Sequence, residues 1–110
     1  MRQISASELA QWLAAAGRQE RSRPVLLDVR EPWETTICRI DGALALPMAA
    51  VPPRLQELDP DAETVVVCHH GVRSFQVALF LERNGFASVY NLSGGVAAWA
   101  DDVDPSMPRY

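Results

Sequence analysis

The chain predicts an α/β fold, with a mostly parallel sheet carrying helices on both faces. Two apolar runs, at residues 25–29 and 65–67, lack the polar alternation of a half-exposed strand, as central parallel strands do. Stretches with helical spacing and helix-stop residues follow each of them, so strand and helix alternate. The length of 110 residues, 48% hydrophobic and 22% charged, suits one core and one domain over residues 1–110. Right-handed crossovers join such strands, and ligands sit beyond their carboxyl ends.

The elements follow in order. Ser5 and Glu8 have capping-box spacing, with Ile4 and Leu9 placed as a hydrophobic staple. Leu9, Trp12, Leu13 and Ala16 then share one buried helical face, which Gly17 ends. Residues 18–23 are polar and read as an exposed loop. The strand at 25–29 leads to Pro32, which suits the first turn of a short helix ending near Ile37. Residues 43–46 read as a short strand halted by Pro47, and Pro52-Pro53 introduces a helix through about Leu58. The turn Asp59-Pro60-Asp61 leads to the strand that ends at Cys68. Residues 74–84 are helical in spacing, and Gly85 stands where a left-handed cap belongs. Residues 88–91 give one more strand, Gly94-Gly95 opens a last helix through Trp99, and residues 101–110 read as an extended tail.

Charge and composition narrow the function classes. Formal net charge is −4, which offers nothing to nucleic acid or an anionic membrane. All ten basic residues are arginine, so Schiff-base chemistry on a lysine is excluded. No signal-peptide pattern precedes the first helix and no apolar run has spanning length, so a cytoplasmic protein is expected. Two cysteines cannot make a disulfide framework.

Cys68 is the chemical focus. A cysteine after three valines is ordinarily a small buried hydrophobe. Here a polar, glycine-containing, arginine-bearing turn follows it and opens a helix: Cys68-His69-His70-Gly71-Val72-Arg73-Ser74. Amides of such a loop curl around the sulfur, and the positive end of the helix points at it, in a part-exposed setting that stabilises a thiolate. Gly71 allows a positive φ and a close backbone approach. The loop at residues 28–31 follows another strand, so if the two strands are neighbours Arg30 lies near Cys68.

The stretch from Cys68 to Ser74 resembles the active-site loop of rhodanese-like sulfurtransferases. Three further segments resemble that family in the right order: Leu27-Asp28-Val29-Arg30-Glu31-Pro32-Trp33-Glu34, then Ile40-Asp41-Gly42-Ala43 with Pro47, then Asn91-Leu92-Ser93-Gly94-Gly95 with Ala98-Trp99. Where the family has Gly-His before the isoleucine, this chain has Cys38-Arg39. The resemblance implies a rhodanese-like fold with a five-stranded, mostly parallel sheet, and no cofactor. It implies that Cys68 carries the transferred sulfur as a persulfide, within a ring formed by His69, His70, Gly71, Val72, Arg73 and Ser74. The donor is a small anion such as thiosulfate, and the acceptor is a thiol, cyanide or a protein.

Within that frame the other residues keep two readings each. Arg73 either offers its fork to an oxyanion or pairs on the surface with Glu31 or Glu34. Arg30 either touches substrate or is held away by Glu31, and Asp28 reads as an acceptor for loop amides. His69 and His70 modulate the loop's charge; with only two histidines, a closed metal site together with Cys68 and Cys38 is hard to assemble. Cys38 reads as an inert buried thiol at the far edge of the sheet rather than a resolving one. Three function classes compete: a small-donor sulfurtransferase, a persulfide relay between proteins, and a phosphatase or arsenate reductase. Only four residues separate Cys68 from Arg73, whereas cysteine phosphatases have a Cys-x5-Arg pattern, so the third ranks last.

Overall fold

The two apolar runs pair with each other in the computed structural model, which describes residues 1–110. Strand β2 (Val25–Asp28) lies parallel to β4 (Thr64–Val67), with Leu27 opposite Val66. β3 (Leu44–Ala45) flanks β2, and β5 (Val89–Leu92) flanks β4. β1 (Arg2–Ile4) closes the other edge against β5, giving the order β1-β5-β4-β2-β3 with every pairing parallel. The helices are α1 (Ala6–Gly17), α2 (Pro32–Ile37), α3 (Val72–Arg83) and α4 (Gly95–Asp102). None of them is long and apolar enough to cross a membrane.

Strand alternation divides the core into two layers. Val65 and Val67 face a cluster with Leu9 and Trp12 of α1 and Val96 and Trp99 of α4. Val66 and Cys68 face the opposite cluster, with Val77, Ala78 and Leu81 of α3. Ser5 and Glu8 form the expected capping box at the start of α1.

Four expectations need correction. β1 was not foreseen, because three residues with Arg2 and Gln3 exposed carry no apolar run, and the parent sheet alone recruits them. Residues 52–58 form no α-helix; two short 3-10 turns, Met48–Ala50 and Leu55–Glu57, stand there instead. Leu55 N bonds back to Pro52 O, Glu57 N to Arg54 O and Leu58 N to Leu55 O, a three-residue spacing that holds the segment in tight turns. The tail is not extended: α4 continues to Asp102, Met107 is buried, and Tyr110 returns to the carboxyl edge of the sheet. Cys38 is not at the far edge either, since it packs in the α1–α4 layer beside Arg30.

Candidate active site

Cys68 follows the last residue of β4, and the chain must reverse within three residues to start α3. Gly71 makes the reversal at φ 97°, in the left-handed region. A side chain there would also meet Leu92 O and Gly94 N, each at 3.2 Å. The Gly71 amide donates to Cys68 Sγ at 3.1 Å, and Ser74 Oγ lies 3.2 Å from the same sulfur. The amides of Ser74 and His70 also face it. Burial is the largest single influence on the thiol and opposes ionisation. The Ser74 hydroxyl and the amides of Ser74, Gly71 and His70 together outweigh it, so the Cys68 pKa is held below its ordinary value.

The expected part-exposed setting is not found. Cys68 is 1% exposed and belongs to the α3 core layer, so the sulfur lies beneath its loop rather than on the surface. A cleft of about 150 Å³ opens beside the loop, between His69, His70, Ala97 and Tyr110, but Cys68 does not line it.

A second helix start holds the loop from behind. Val96 N donates to Cys68 O at 2.9 Å and Ala97 N to His69 O at 3.1 Å. Gly95, at φ 57°, brings α4 so close that a Cβ there would sit 2.3 Å from Cys68 O. With these carbonyls turned towards α4, the loop is free to turn its following amides to the sulfur. Asn91 of β5 completes the frame: its Oδ1 accepts from Ser74 Oγ, and its Nδ2 donates to Gly71 O at 3.1 Å and Gln3 Oε1 at 3.0 Å. The single Ser74 proton points to Asn91 or to an anionic sulfur, whichever accepts it more strongly.

The arginines are placed otherwise than the substrate-contact reading had them. Arg30 is fully buried, and its guanidinium donates to both oxygens of Asp28, the nearest at 2.8 Å, to Cys38 O at 2.7 Å and to Tyr110 Oη at 2.9 Å. Asp28 Oδ1 also accepts the Arg30 amide at 3.1 Å. A substrate-binding role for Arg30 is therefore corrected to a structural one: the fold needs its donors to tie the strand end to Cys38 and the tail. Arg73 takes the Glu34 pairing, through Nη1 to Oε2 at 2.7 Å and Nη2 to Oε1 at 2.8 Å. Val72 is exposed, with its side chain outside the ring.

Glu34 and Tyr110 escaped the sequence reading as site residues. Glu34 is buried, and its carboxyl is held down at about 2, first by the Arg73 hydrogen bonds and against the effect of burial. Tyr110 donates to Glu34 Oε1 at 2.9 Å, and its ring stacks on His69 at 3.9 Å. His69 stacks on His70 in turn, also at 3.9 Å. Burial and the neighbouring His70 push the His69 pKa down, which keeps that ring neutral near pH 7.

The fold thus places a buried cysteine under a tight loop and a helix start at the carboxyl edge of a parallel sheet. Comparison with known proteins gives the family. The family model described as rhodanese-like domain matches residues 5–102, and the chain belongs to that family. A sulfurtransferase of Allochromatium vinosum is 37% identical over 98 residues, which cover 89% of this chain and 87% of that protein. The chloroplastic rhodanese-like/PpiC domain-containing protein 12 of Arabidopsis thaliana is 43% identical over 89 residues. That match covers 77% of this chain but only 30% of the plant protein. The crystal structure of a rhodanese-like domain protein from Staphylococcus aureus superposes with a TM-score of 0.81 at 33% identity, covering 94% of this chain and 95% of that one.

Proposed function

We propose that this protein is a sulfurtransferase that moves a sulfane sulfur from thiosulfate or a similar donor to a nucleophilic acceptor through a persulfide on Cys68. The observation that carries the reading is the polar ring at Cys68 Sγ: the Gly71 amide donates at 3.1 Å, the Ser74 hydroxyl lies at 3.2 Å and can turn its proton to an anionic sulfur, and the His70 and Ser74 amides help to lower the thiol pKa. In the first step the thiolate attacks the outer sulfur of thiosulfate. A new S–S bond forms, the old one breaks, and its electron pair leaves with sulfite. In the second step an acceptor such as cyanide or a thiolate takes the terminal sulfur, and Cys68 regains its thiolate. Negative charge stays on sulfur throughout, so one fixed ring of dipoles serves both resting and loaded states. Both cysteines are free thiols, which fits a reducing compartment such as the cytoplasm.

The second reading, a relay that takes its sulfur from a protein or thiol persulfide, is favoured by one observation. Neither Arg30 nor Arg73 has its charge free for a small oxyanion.

Intact-mass measurement after thiosulfate treatment tests the reaction class. We expect a gain of one sulfur atom mapped to Cys68 and removed by cyanide. In Cys68→Ala both the mass gain and sulfur transfer should vanish while the far-UV circular dichroism is unchanged. Retained transfer by that variant rejects the mechanism.

A further inference from the structure

The charges that the fold gathers near Cys68 cancel in pairs. Arg30 faces Asp28 at 2.8 Å, and both are buried. Arg73, on the first turn of α3, faces Glu34 at 2.7 Å. The second pair is held from three sides. Glu34 Oε2 accepts from Arg73 and from the Glu31 amide at 2.8 Å, while Oε1 accepts from Arg73 and from the Tyr110 hydroxyl. Each carboxylate oxygen thus has two donors, so the carboxylate cannot swing away without orphaning several of them. An incoming anion that took Arg73 for itself would strip a buried carboxylate of its only cationic partner. The pair also sits where substrate charge would be felt. Tyr110, which donates to Glu34 at 2.9 Å, stacks at 3.9 Å on His69, the residue after Cys68.

We propose that Glu34 is a specificity-determining residue of this site. By occupying both prongs of Arg73 it removes free positive charge from the approach to Cys68, and so turns the site towards sulfur donors of low charge and away from free dianions. The preferred donor class is a persulfide carried on a thiol or a protein, which brings at most one negative charge to the ring. The chain's net charge of −4 acts in the same direction, since it repels a free dianion at long range. The inference rests on the reading of Cys68 as the sulfur carrier.

Binding is measured without turnover, so that failure of the two readings can be told apart. In a Cys68→Ser background thiosulfate cannot be consumed, and calorimetry reports its affinity directly. Adding Glu34→Gln should tighten thiosulfate binding by about tenfold, the value of one freed two-point charged contact. It should tighten methanethiosulfonate, a monoanion, by less. Equal or weaker thiosulfate binding in the double variant, or none in either protein, overturns the role of Glu34. Absence of the Cys68 mass gain in the native protein with both thiosulfate and a thiol persulfide as donor overturns the sulfurtransferase reading instead. Should Glu34→Gln fail to fold, the salt dependence of thiosulfate binding to Cys68→Ser decides. A neutralised approach predicts an affinity that does not weaken across about a tenfold rise in ionic strength. A steep weakening would reveal a free cation and overturn the proposal.

Discussion

Two helices of this domain begin at the same sheet edge, each led by glycine in a left-handed conformation, and they do opposite things. α3 starts at Gly71 and turns its first amides towards the Cys68 sulfur. α4 starts at Gly94-Gly95 and gives its amides to the carbonyls of Cys68 and His69. One helix start turns an amide to the sulfur, while the other fixes the peptide groups of the loop that carries it. The lesson is that an anion-holding loop needs its carbonyls as firmly placed as its amides. Helix α4 does that without touching the sulfur.

The sharpest way to break this pairing is to push α4 away. Gly95→Ala places a Cβ 2.3 Å from Cys68 O, at a backbone conformation unsuited to any side chain. We expect a loss of about 3 kcal/mol or more, read as a lower denaturation midpoint, together with loss of sulfur loading. Gly71→Ala is the matched change at the α3 start. Its Cβ meets atoms at 3.2 Å, so the loss in stability should be smaller, about 1–2 kcal/mol. A larger loss at Gly71 than at Gly95 would reverse the assignment of the two helices.

Ser74→Ala sharpens the comparison from the α3 side. Its hydroxyl is the largest of the influences that lower the Cys68 pKa, and burial pushes the other way. Removing it raises the thiol pKa, so the alkylation rate plotted against pH should shift upward. The sign is fixed: thiolate is lost as pH falls through the Cys68 pKa, so the variant is slower than the native protein below that point and equal well above it. An unshifted profile would leave the amides alone responsible. The smallest effect is expected at Cys38→Ser, because the Cys38 sulfur takes only a long contact of 3.7 Å from Arg30 and lies in the opposite core layer from Cys68. Turnover should be unchanged and stability lowered by about 1 kcal/mol or less. A large loss of turnover would revive Cys38 as a resolving thiol.

What could be read in advance divides along sequence distance. Cys68, Gly71 and Ser74 act on one another within seven residues, and strand end, left-handed turn and helix start are each local patterns. The central strands were equally legible, because Val65, Val66 and Val67 are buried on both faces and carry no polar alternation. Gly95 stood out as a helix opener, yet its contact with Cys68 O depends on how α4 packs behind the loop. The fates of Arg30 and Arg73 were decided by the same kind of distance. Tyr110 reaches Arg30 across eighty positions, and Arg73 crosses to Glu34 on another helix. A signal for Glu34 did exist: Glu31 and Glu34 stand three apart at a helix start, and Glu34 closes the capping box there. That its carboxylate also reaches Arg73 was one of the two readings open for that arginine, and only the packing of α2 against α3 chose between them.

The depth of Cys68 has a consequence for timing. At 1% exposure the empty thiol is guarded from bulk oxidants. One added sulfur lengthens that side chain by a bond of about 2.05 Å. The peptide groups of Cys68 and His69 are clamped by α4 and cannot retreat, so the newcomer must extend outward through the loop. Under the proposed persulfide mechanism the transferred atom would stand nearer the outside than the atom that bears it, with the empty thiol shielded and the loaded sulfur presented to an acceptor.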